Sequence, residues 1–389
     1  MVKVGIDLIS FYTSNTYLDL NELAEARGVD VNKYYVGIGQ ERMSIPTPDE
    51  DVVTMGANAA QTILNDCDKS TIGTVIFATE SSIDQSKAAG IFIHDLLDLP
   101  KDCRVVEVKQ ACYSATAALQ MACGLVTRTP NKSILIIASD IARYDLDSPG
   151  EATQGCGAVA LLVKQDPRIL EVSEHSGCYT QNNHDFWRPN YRTTPIVNGK
   201  SSTLTYIKAA RKCWKALEEN AGLEFDDIEQ FCYHLPFTNM ANKAHLKVAR
   251  DSKSEKDKSE LLAQLEPSLV YNRKIGNSYS ASTYISFCSL LDHCKTLENQ
   301  KVGIFAFGSG SVGEFFYGTV VAGYQKWLYT SKHQAIFEKQ QPISFQKYLT
   351  NHGQRVLGPE DITLQQETSG NFTLRGIKDQ HRVYQQCQK

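Results

Sequence analysis

The sequence predicts an α/β protein built from two similar units. The first observation is an alternation of short, almost continuously apolar segments with longer amphipathic ones, which is typical of sheets covered by helices on both faces. The second is that this pattern occurs twice, since Phe77 and Cys232 lie at the centres of corresponding apolar segments about 155 positions apart. We therefore expect an internal duplication, with two units facing each other across a pseudo-twofold axis. The alternative is that the alternation of strands and helices repeats by chance, without a duplication.

Each unit contains three segments with the length and composition of buried strands. Those of the first unit are residues 74–79 (TVIFAT), 133–139 (SILIIAS) and 157–163 (GAVALLV), and those of the second are 230–235 (QFCYHL), 302–307 (VGIFAF) and 315–321 (FFYGTVV). We expect the units to span residues 1–166 and 167–389, with a further strand at the N-terminus. The polar segment after Tyr324 is expected to be peripheral, although Trp327 and Phe337 can pack.

A strongly apolar helix is predicted between the first and second strand of each unit. The two helices are residues 111–124 (ACYSATAALQMACG) and 277–290 (NSYSASTYISFCSL). Because both are apolar on most faces, we expect them to be buried between the two sheets. Their N-termini then point at a shared interior site, where unpaired N–H groups and a partial positive charge can stabilise an anion.

Composition and charge exclude several classes of protein. The chain has a formal net charge of −4, with 22% charged and 42% hydrophobic residues, as in an ordinary globular protein. The acidic balance argues against a nucleic-acid binder. The longest apolar runs are far shorter than the roughly 20 residues of a membrane helix. The N-terminal segment MVKVGID is a poor signal peptide, because an acid interrupts its apolar stretch, so we expect a cytoplasmic protein.

The eleven cysteines include one candidate nucleophile. No two of them have the C-x-x-C spacing, which argues against a zinc ribbon or a thioredoxin-type motif. Most are expected to be reduced, small core residues. Cys112 differs because it stands at the start of the first buried helix, where the pKa of a thiol is lowered from roughly 8.5 toward neutrality. Such a thiol can form a thioester, whereas the alternative is a small buried cysteine.

Three further residues occupy corresponding places in the two units. Glu80 and His234 each end a predicted strand, and Asn277 starts the second apolar helix as Cys112 starts the first. Residues at the carboxyl ends of strands line the active crevice of α/β sheets, so we expect these four side chains to meet. The alternatives are a helix N-terminal acid for Glu80 and a hydrogen-bonded core histidine for His234.

The glycine-rich segment 308–313 (GSGSVG) follows the strand 302–307. Glycines at such a turn let the backbone approach a ligand closely and direct N–H groups toward it. The segment lacks the Lys-Ser/Thr of a phosphate-binding loop and is not a dinucleotide fingerprint. We interpret it as a source of oxyanion-stabilising N–H groups beside Cys112, with a plain tight turn as the alternative.

Together these motifs resemble those of the thiolase superfamily of condensing enzymes. The resemblance is carried by residues 110–116 (QACYSAT), 233–238 (YHLPFT), 276–282 (GNSYSAS) and 307–313 (FGSGSVG). Residues 77–81 (FATES), 37–40 (GIGQ) and 185–189 (DFWRP) narrow it to the compact bacterial 3-hydroxy-3-methylglutaryl-CoA synthases. The resemblance covers nearly the whole chain and weakens after Tyr324. It implies a thiolase-like fold with five layers, α-β-α-β-α, and a homodimer.

The resemblance implies a reaction that these residues can support. Cys112 takes the acetyl group of acetyl-CoA and releases CoA. Glu80 removes a methyl proton, and N–H groups of Cys112 and of the Ser309 turn stabilise the enolate. The enolate attacks the ketone carbon of acetoacetyl-CoA, while His234 protonates the alkoxide and Asn277 helps to hold the acetoacetyl group. Hydrolysis of the thioester then releases 3-hydroxy-3-methylglutaryl-CoA, which implies ping-pong kinetics.

The resemblance also implies a set of substrate-binding residues. Lys243 matches a lysine that contacts the CoA phosphates, as a mobile point charge can, although a solvated helix lysine is the alternative. The residues that match positions lining the acyl or pantetheine channel, or lying close to it, are Tyr144, Thr153, Asp185, Ser202 and Ser309. Asn239 stands where many members of the family have a second lysine, so one phosphate contact is expected to be lost.

Two related activities and one unrelated role remain open at this point. An initiating ketoacyl-acyl carrier protein synthase shares the Cys–His–Asn set but needs no equivalent of Glu80. A polyketide β-branching synthase uses an acceptor tethered to a carrier protein. A non-catalytic acyl-CoA-binding protein on the same fold is the third alternative. No metal or redox cofactor is expected, because no ligand cluster has metal-binding spacing and CoA thioesters are substrates.

Overall fold

The predicted strands and the central helices are present in the structure. The computed structural model describes residues 3–353, 358 and 360–387. The strands of this part of the chain are β1 (Val4–Tyr12), β2 (Thr16–Asp19), β3 (Arg42–Ser44), β4 (Ile72–Ala78), β5 (Arg104–Val108), β6 (Ser133–Ile141), β7 (Cys156–Gln165), β8 (Leu170–Thr180), β9 (Phe186–Trp187), β10 (Ile196–Val197), β11 (Gln230–Tyr233), β12 (Lys301–Gly308), β13 (Val312–Val320), β14 (Gln341–Pro342), β15 (Ile362–Thr363), β16 (Phe372–Lys378) and β17 (His381–Gln386). The six strands predicted from the apolar segments are confirmed as β4, β6, β7, β11, β12 and β13.

The α-helices fill the connections between these strands. In the described residues they are α1 (Leu20–Arg27), α2 (Val52–Leu64), α3 (Ala89–Leu96), α4 (Ser114–Arg128), α5 (Gly199–Ala221), α6 (Asn239–Asp251), α7 (Lys258–Ala263), α8 (Glu266–Ile275), α9 (Ser282–His293), α10 (Thr330–Lys339) and α11 (Phe345–Gly353). The two predicted apolar helices are α4 and α9, although both begin later than expected. The mixed-charge run 251–260 forms the end of α6, a loop and the start of α7.

The order of the strands shows the duplication directly. One long sheet runs β11-β12-β13-β8-β1-β7-β6-β4-β5. In the first half β4 is parallel to β6, and β7 is antiparallel to both β6 and β1. In the second half β11 is parallel to β12, and β13 is antiparallel to both β12 and β8. The two halves therefore repeat one topology, which confirms the duplication.

The two halves of this sheet are joined over a very short distance. Strand β1 pairs with β8 only through Gly5 with Glu171 and Ile6 with Leu170. A Cβ atom on Gly5 would lie 1.9 Å from the carbonyl oxygen of Leu170, so the backbones approach here as closely as glycine alone permits. The sheet can turn at this junction, and its two halves face each other across the central helices.

Three hydrophobic cores produce the five layers. The central core combines α4 and α9 with strands of both halves, through residues such as Leu119, Ile136, Ile285 and Ile304. A second core joins α2 and α3 to the first half, and a third joins α5 and α6 to the second half. The order is therefore helix, sheet, helix, sheet, helix, as predicted. The boundary between residues 166 and 167 stays a prediction.

The segment after Tyr324 is more firmly attached than its polar composition suggested. Phe337 packs against the central core, whereas Trp327 is partly exposed with Arg168 lying over its ring at 3.8 Å. The buried His333 of α10 bridges Ser10 of β1, at 3.0 Å, and Asp292 of α9, at 2.6 Å. Within the residues that the structure describes, no helix is both long and apolar enough to cross a membrane.

Candidate active site

Cys112 and Glu80 are in direct contact, as the sequence predicted. Cys112 is buried in the turn just before α4, and its thiol donates a hydrogen bond to Glu80 Oε2 at 3.3 Å. The residue before it, Ala111, has a φ of 45°, in the left-handed region that a non-glycine residue seldom adopts. Such backbone strain concentrates at functional sites, where the surrounding structure holds it in place.

The expected lowering of the Cys112 pKa is wrong. Burial raises the pKa of this thiol well above its usual value, and the neighbouring Glu80 and Asp140 raise it further. A nearby helix N-terminus stabilises a thiolate, but the free-energy cost of removing the thiolate from water is larger, so the pKa rises. Cys112 is therefore a thiol in the free protein, and Glu80 is the group placed to accept its proton.

Glu80 lies two residues beyond β4 and is almost fully buried. Burial raises its pKa to about 8, with a further contribution from Asp140, while Arg188 and the hydrogen bond from Cys112 act in the opposite direction. The helix that follows begins only at Ala89, so the reading of Glu80 as a helix N-terminal acid is wrong. A carboxyl group with this pKa is suited to act as a base near neutral pH.

His234 directly follows β11 and is buried in the second half. Its backbone N–H donates to Phe305 O at 2.7 Å, and its carbonyl accepts from the Tyr206 hydroxyl at 2.6 Å. The ring Nδ1 is buried and has no hydrogen-bond partner in the described part of the chain. Burial lowers the pKa of His234 to about 3, so its ring is neutral at physiological pH. An unpartnered ring nitrogen does not fit the alternative of a hydrogen-bonded core histidine.

Asn277 precedes α9 rather than starting it. A short 3-10 turn, Tyr279–Ala281, separates the two, and Asn277 Oδ1 accepts from the N–H of Tyr279 at 2.8 Å. The backbone N–H of Asn277 donates to Thr153 O at 3.0 Å. Burial raises the pKa of Tyr144, and hydrogen bonding by Thr153 and Asn277 offsets part of this effect. The side chains of Tyr144, Thr153 and Asn277 therefore lie together and form one polar surface.

The glycine-rich turn packs against the nucleophile segment. A Cβ on Gly308 would lie 2.3 Å from Gln110 O, and the Gln110 amide donates to Ser309 O at 3.3 Å. Gly310 N donates to Asp185 Oδ1 at 3.3 Å and Ser311 N donates to Gln181 O at 2.7 Å. The N–H of Ser309 is left as the turn's candidate donor to a substrate oxyanion.

A cavity of about 430 Å³ joins most of the predicted residues. The predicted residues that line it are Cys112, Tyr144, Thr153, Ser202, His234, Asn277 and Ser309. Glu80 lines a larger adjoining cleft of about 1230 Å³, which shares Phe186, Arg192 and Ser309 with the cavity. Glu80 therefore contacts the Cys112 thiol from the cleft, whereas His234 lines the cavity that Cys112 also lines.

Two predicted binding residues do not line the cavity. Asp185 is fully buried and instead holds the Ser309 turn through Gly310, so its position is that of a supporting residue. Lys243 is exposed, with its ammonium group over the Phe237 ring at 5.0 Å, and Phe237 lines the cavity. Lys243 thus stands at the mouth, where a phosphate outside the cavity could be bound.

Sequence reasoning missed two charged residues of the site. Asp140 is buried at the end of β6 and accepts hydrogen bonds from the N–H groups of Glu80, Ser81 and Ser280 at 2.9–3.0 Å. Arg188 donates from its guanidinium to the carbonyl of Glu80. Asp140 directly follows the predicted strand 133–139, and Arg188 lies in the motif 185–189 that supports the resemblance, so the sequence contained a signal for both residues. No group of three His, Cys, Asp or Glu in the described residues could hold a metal ion.

The fold and this site define a class of enzyme. Two duplicated halves in five layers, with a cysteine just before a buried central helix and a histidine and an asparagine from the other half, form a thiolase-type condensing architecture. Family models for the N-terminal and C-terminal parts of hydroxymethylglutaryl-coenzyme A synthase match residues 2–167, and residues 169–265 and 255–363. The chain therefore belongs to the hydroxymethylglutaryl-CoA synthase family.

Individual relatives agree with this family. The hydroxymethylglutaryl-CoA synthase of Enterococcus faecalis is 41% identical over 384 residues, which are 98% of this chain and 100% of that protein. A crystal structure of an HMG-CoA synthase complexed with CoA superimposes with a TM-score of 0.93 and 38% identity, over 99% of this chain and 100% of that one. The polyketide 3-hydroxy-3-methylglutaryl-ACP synthase of Bacillus subtilis is 30% identical, over 97% of this chain and 92% of that protein.

Proposed function

We propose that this chain condenses acetyl-CoA with acetoacetyl-CoA to give 3-hydroxy-3-methylglutaryl-CoA and CoA, a step of the mevalonate route to isoprenoids. The observation that carries the proposal is the contact of the Cys112 thiol with the buried Glu80 carboxyl group, at 3.3 Å, beside a cavity that His234 also lines. Membership of the synthase family and the CoA-bound relative support the same substrates.

The first half-reaction charges the enzyme. Glu80 accepts the proton of Cys112, and the sulfur attacks the acetyl-CoA thioester, so that the S–acetyl bond to CoA breaks and one to Cys112 forms. CoA leaves as a thiol by taking that proton from Glu80, which becomes a carboxylate again. The N–H groups of Cys112 and Ser309 are proposed to stabilise the tetrahedral oxyanion and, later, the enolate. The cavity is open to Tyr144, Thr153, Asn277 and Ser202, which we propose as the groups that hold the acyl and pantetheine parts.

In the second half-reaction Glu80 takes a methyl proton from acetyl-Cys112, and the resulting enolate attacks the ketone carbon of acetoacetyl-CoA. The resemblance implies that His234 donates a proton to the alkoxide. Because burial keeps this ring neutral, we propose that it donates an N–H hydrogen bond to the ketone oxygen, while the protonated Glu80 returns its proton to the alkoxide. Water then cleaves the thioester and regenerates the Cys112 thiol.

The proposed enzyme is a cytoplasmic homodimer that needs only its CoA substrates. Strand β5 ends the long sheet, and its outer edge is unpaired among the residues that the structure describes, with its own Val106 46% exposed. An exposed strand edge of this kind is a ready surface for pairing with a second copy. Sedimentation of the purified protein tests the dimer.

The function is tested by incubating the purified chain with both CoA thioesters and identifying the product by mass. A product with the mass of 3-hydroxy-3-methylglutaryl-CoA is expected, and recovery of both substrates unchanged would contradict the proposal. The similarity to the Bacillus subtilis ACP synthase favours a carrier-protein-tethered substrate as the second candidate. Condensation with acetoacetyl-acyl carrier protein, and none with acetoacetyl-CoA, would establish that alternative. Turnover of malonyl-acyl carrier protein would indicate an initiating ketoacyl synthase.

A further inference from the structure

Arg188 is the cation that lies against the Glu80 segment. Its guanidinium donates a hydrogen bond to the carbonyl oxygen of Glu80, and its side chain lines the larger cleft. Arg192, four positions later, is paired with Asp145 at 2.9 Å. Arg188 forms no such ion pair with a carboxylate among the described residues, so its positive charge is free to act on the groups around it in the cleft, including Glu80.

The three residues before Arg188 are each held by contacts with other segments. Strand β9 pairs with β10, with Trp187 opposite Ile196, and Asp185 holds the Ser309 turn through Gly310. The ring of Phe186 packs edge-on against those of Tyr144 and Tyr279, with centroids 6.2 and 5.9 Å away. Arg188 therefore leaves an anchored backbone, and its approach to Glu80 is prepared before any substrate binds.

The charged and titratable groups that act on Glu80 come from several elements. They are Asp140 at the end of β6, Cys112 before α4, Arg188 after β9, and the tyrosines Tyr144 and Tyr279, with Arg143 close enough to Arg188 to be affected by its charge. Burial and Asp140 both disfavour the carboxylate of Glu80, and Arg188 is the positive charge that favours it.

We propose that Arg188 is a positioning residue of the condensation, which fixes the Glu80 peptide and supplies the positive charge that keeps its carboxylate available as a base. This inference rests on the proposed function. Burial and the second carboxylate already raise the pKa of Glu80 to about 8, so loss of the Arg188 charge would leave still less of the base as carboxylate near neutral pH. The guanidinium is suited to the task because it remains charged and directs several N–H donors from a rigid plane.

The test is the pH dependence of condensation in Arg188→Gln. Enzyme acetylated beforehand is mixed with acetoacetyl-CoA, and the single-turnover rate is followed from pH 6 to pH 10. We expect the midpoint of the profile to move upward by about one unit, so that the rate at pH 7 falls about tenfold and recovers in alkaline solution. Arg188→Lys should lie between the variant and the unmodified chain. Lys87→Gln removes another cation of the same cleft, one that lies over Phe92, and should leave the profile unchanged.

A direct titration separates this inference from the proposed function. The carboxyl infrared band that disappears in Glu80→Gln reports the protonation of Glu80 without any substrate, and its midpoint should also rise in Arg188→Gln. An unchanged midpoint, or an equal loss of rate at every pH that lysine does not restore, would overturn the role of Arg188. An unmodified chain that forms acetyl-Cys112 but no condensation product would contradict the proposed function instead.

Discussion

Asp140 of the first half accepts hydrogen bonds from Ser280 of the second half, from its backbone N–H at 3.0 Å and from its hydroxyl. The other carboxylate oxygen of Asp140 accepts from Thr79, Ser81 and the N–H of Glu80. These donors satisfy both oxygens of the buried Asp140 carboxylate. It therefore joins the base segment of one half to the Asn277 segment of the other.

Replacing Asp140 with asparagine should damage stability and catalysis together. In this variant the N–H and O–H groups that Asp140 binds lose a charged acceptor, and the side-chain amide of the asparagine places an N–H group against some of these donors. We therefore expect the free energy of unfolding to fall by ~2–4 kcal/mol. Urea unfolding followed by circular dichroism measures this loss. Asp95→Asn on the surface helix α3 is the control and should change stability by less than ~0.5 kcal/mol. Equal stability of the two variants would contradict the joining role of Asp140.

The condensation rate should rise with pH. Glu80 must be a carboxylate to remove the methyl proton, and its pKa of about 8 means that the active form increases as the pH passes through this value. Between pH 7 and pH 9 the single-turnover rate of acetyl-enzyme should increase about tenfold. Acetylation of Cys112 removes a hydrogen bond that lowers this pKa, so the midpoint should not fall below 8. A rate that decreases over this range would exclude Glu80 as the base.

Removal of the Glu80 side chain should separate the two half-reactions. Glu80→Ala lacks the base, so condensation should fall by more than the ~10²–10⁴-fold usual for one acid–base group. Acetylation should become slower but should persist, since water can replace Glu80 as the acceptor of the thiol proton and the loss of Glu80 also removes an influence that raises the pKa of Cys112. Radiolabel from acetyl-CoA, retained on Cys112 and absent from Cys112→Ala, measures this step. If Glu80→Ala is not acetylated, Glu80 has an essential role in the first half-reaction as well.

The same carboxyl group should cost the protein stability. A folded-state pKa raised from 4.5 to about 8 favours folding fully only below pH 4.5, and this contribution is lost as the pH rises through 8. Glu80→Gln should therefore be the more stable protein in alkaline solution, by ~5 kcal/mol at pH 9, with a much smaller difference at pH 5. Thermal unfolding at the two pH values tests this. A difference that does not depend on pH would argue against the raised pKa.

We propose that binding of the CoA phosphates depends on Lys243 and not on Asn239. The Asn239 amide donates to the carbonyls of Val36 and Gly37, at 2.8 and 3.3 Å, so it is engaged with the protein itself. Lys243→Ala should raise the KM for acetyl-CoA about tenfold and leave that for acetyl-pantetheine unchanged, because only CoA carries the nucleotide phosphates. Asn239→Ala should instead lower the unfolding free energy by ~1 kcal/mol with little effect on either KM. Equal effects of Lys243→Ala on both thioesters would contradict the phosphate contact.

The sequence by itself determined the alternation of strands and helices and the duplication. It also predicted that Cys112, His234 and Asn277 converge on one cavity and that Glu80 lies close to Cys112. Strand composition and period locate the carboxyl ends of strands, and in a duplicated α/β fold those ends must meet. The starts of α4 and α9 lie later than the sequence predicted, because the turns before them depend on unusual backbone angles at Ala111 and Tyr279.

Only the tertiary structure decided the charges within the site. Whether the pKa of Cys112 rises or falls depends on its burial and on Glu80 and Asp140, which are distant in sequence. The hydrogen bond between Asp185 and Gly310 and the contact of Arg188 with Glu80 likewise join segments more than a hundred residues apart. Residue type and spacing report what a side chain can do, whereas desolvation and neighbouring charge depend on distances that exist only after the chain has folded.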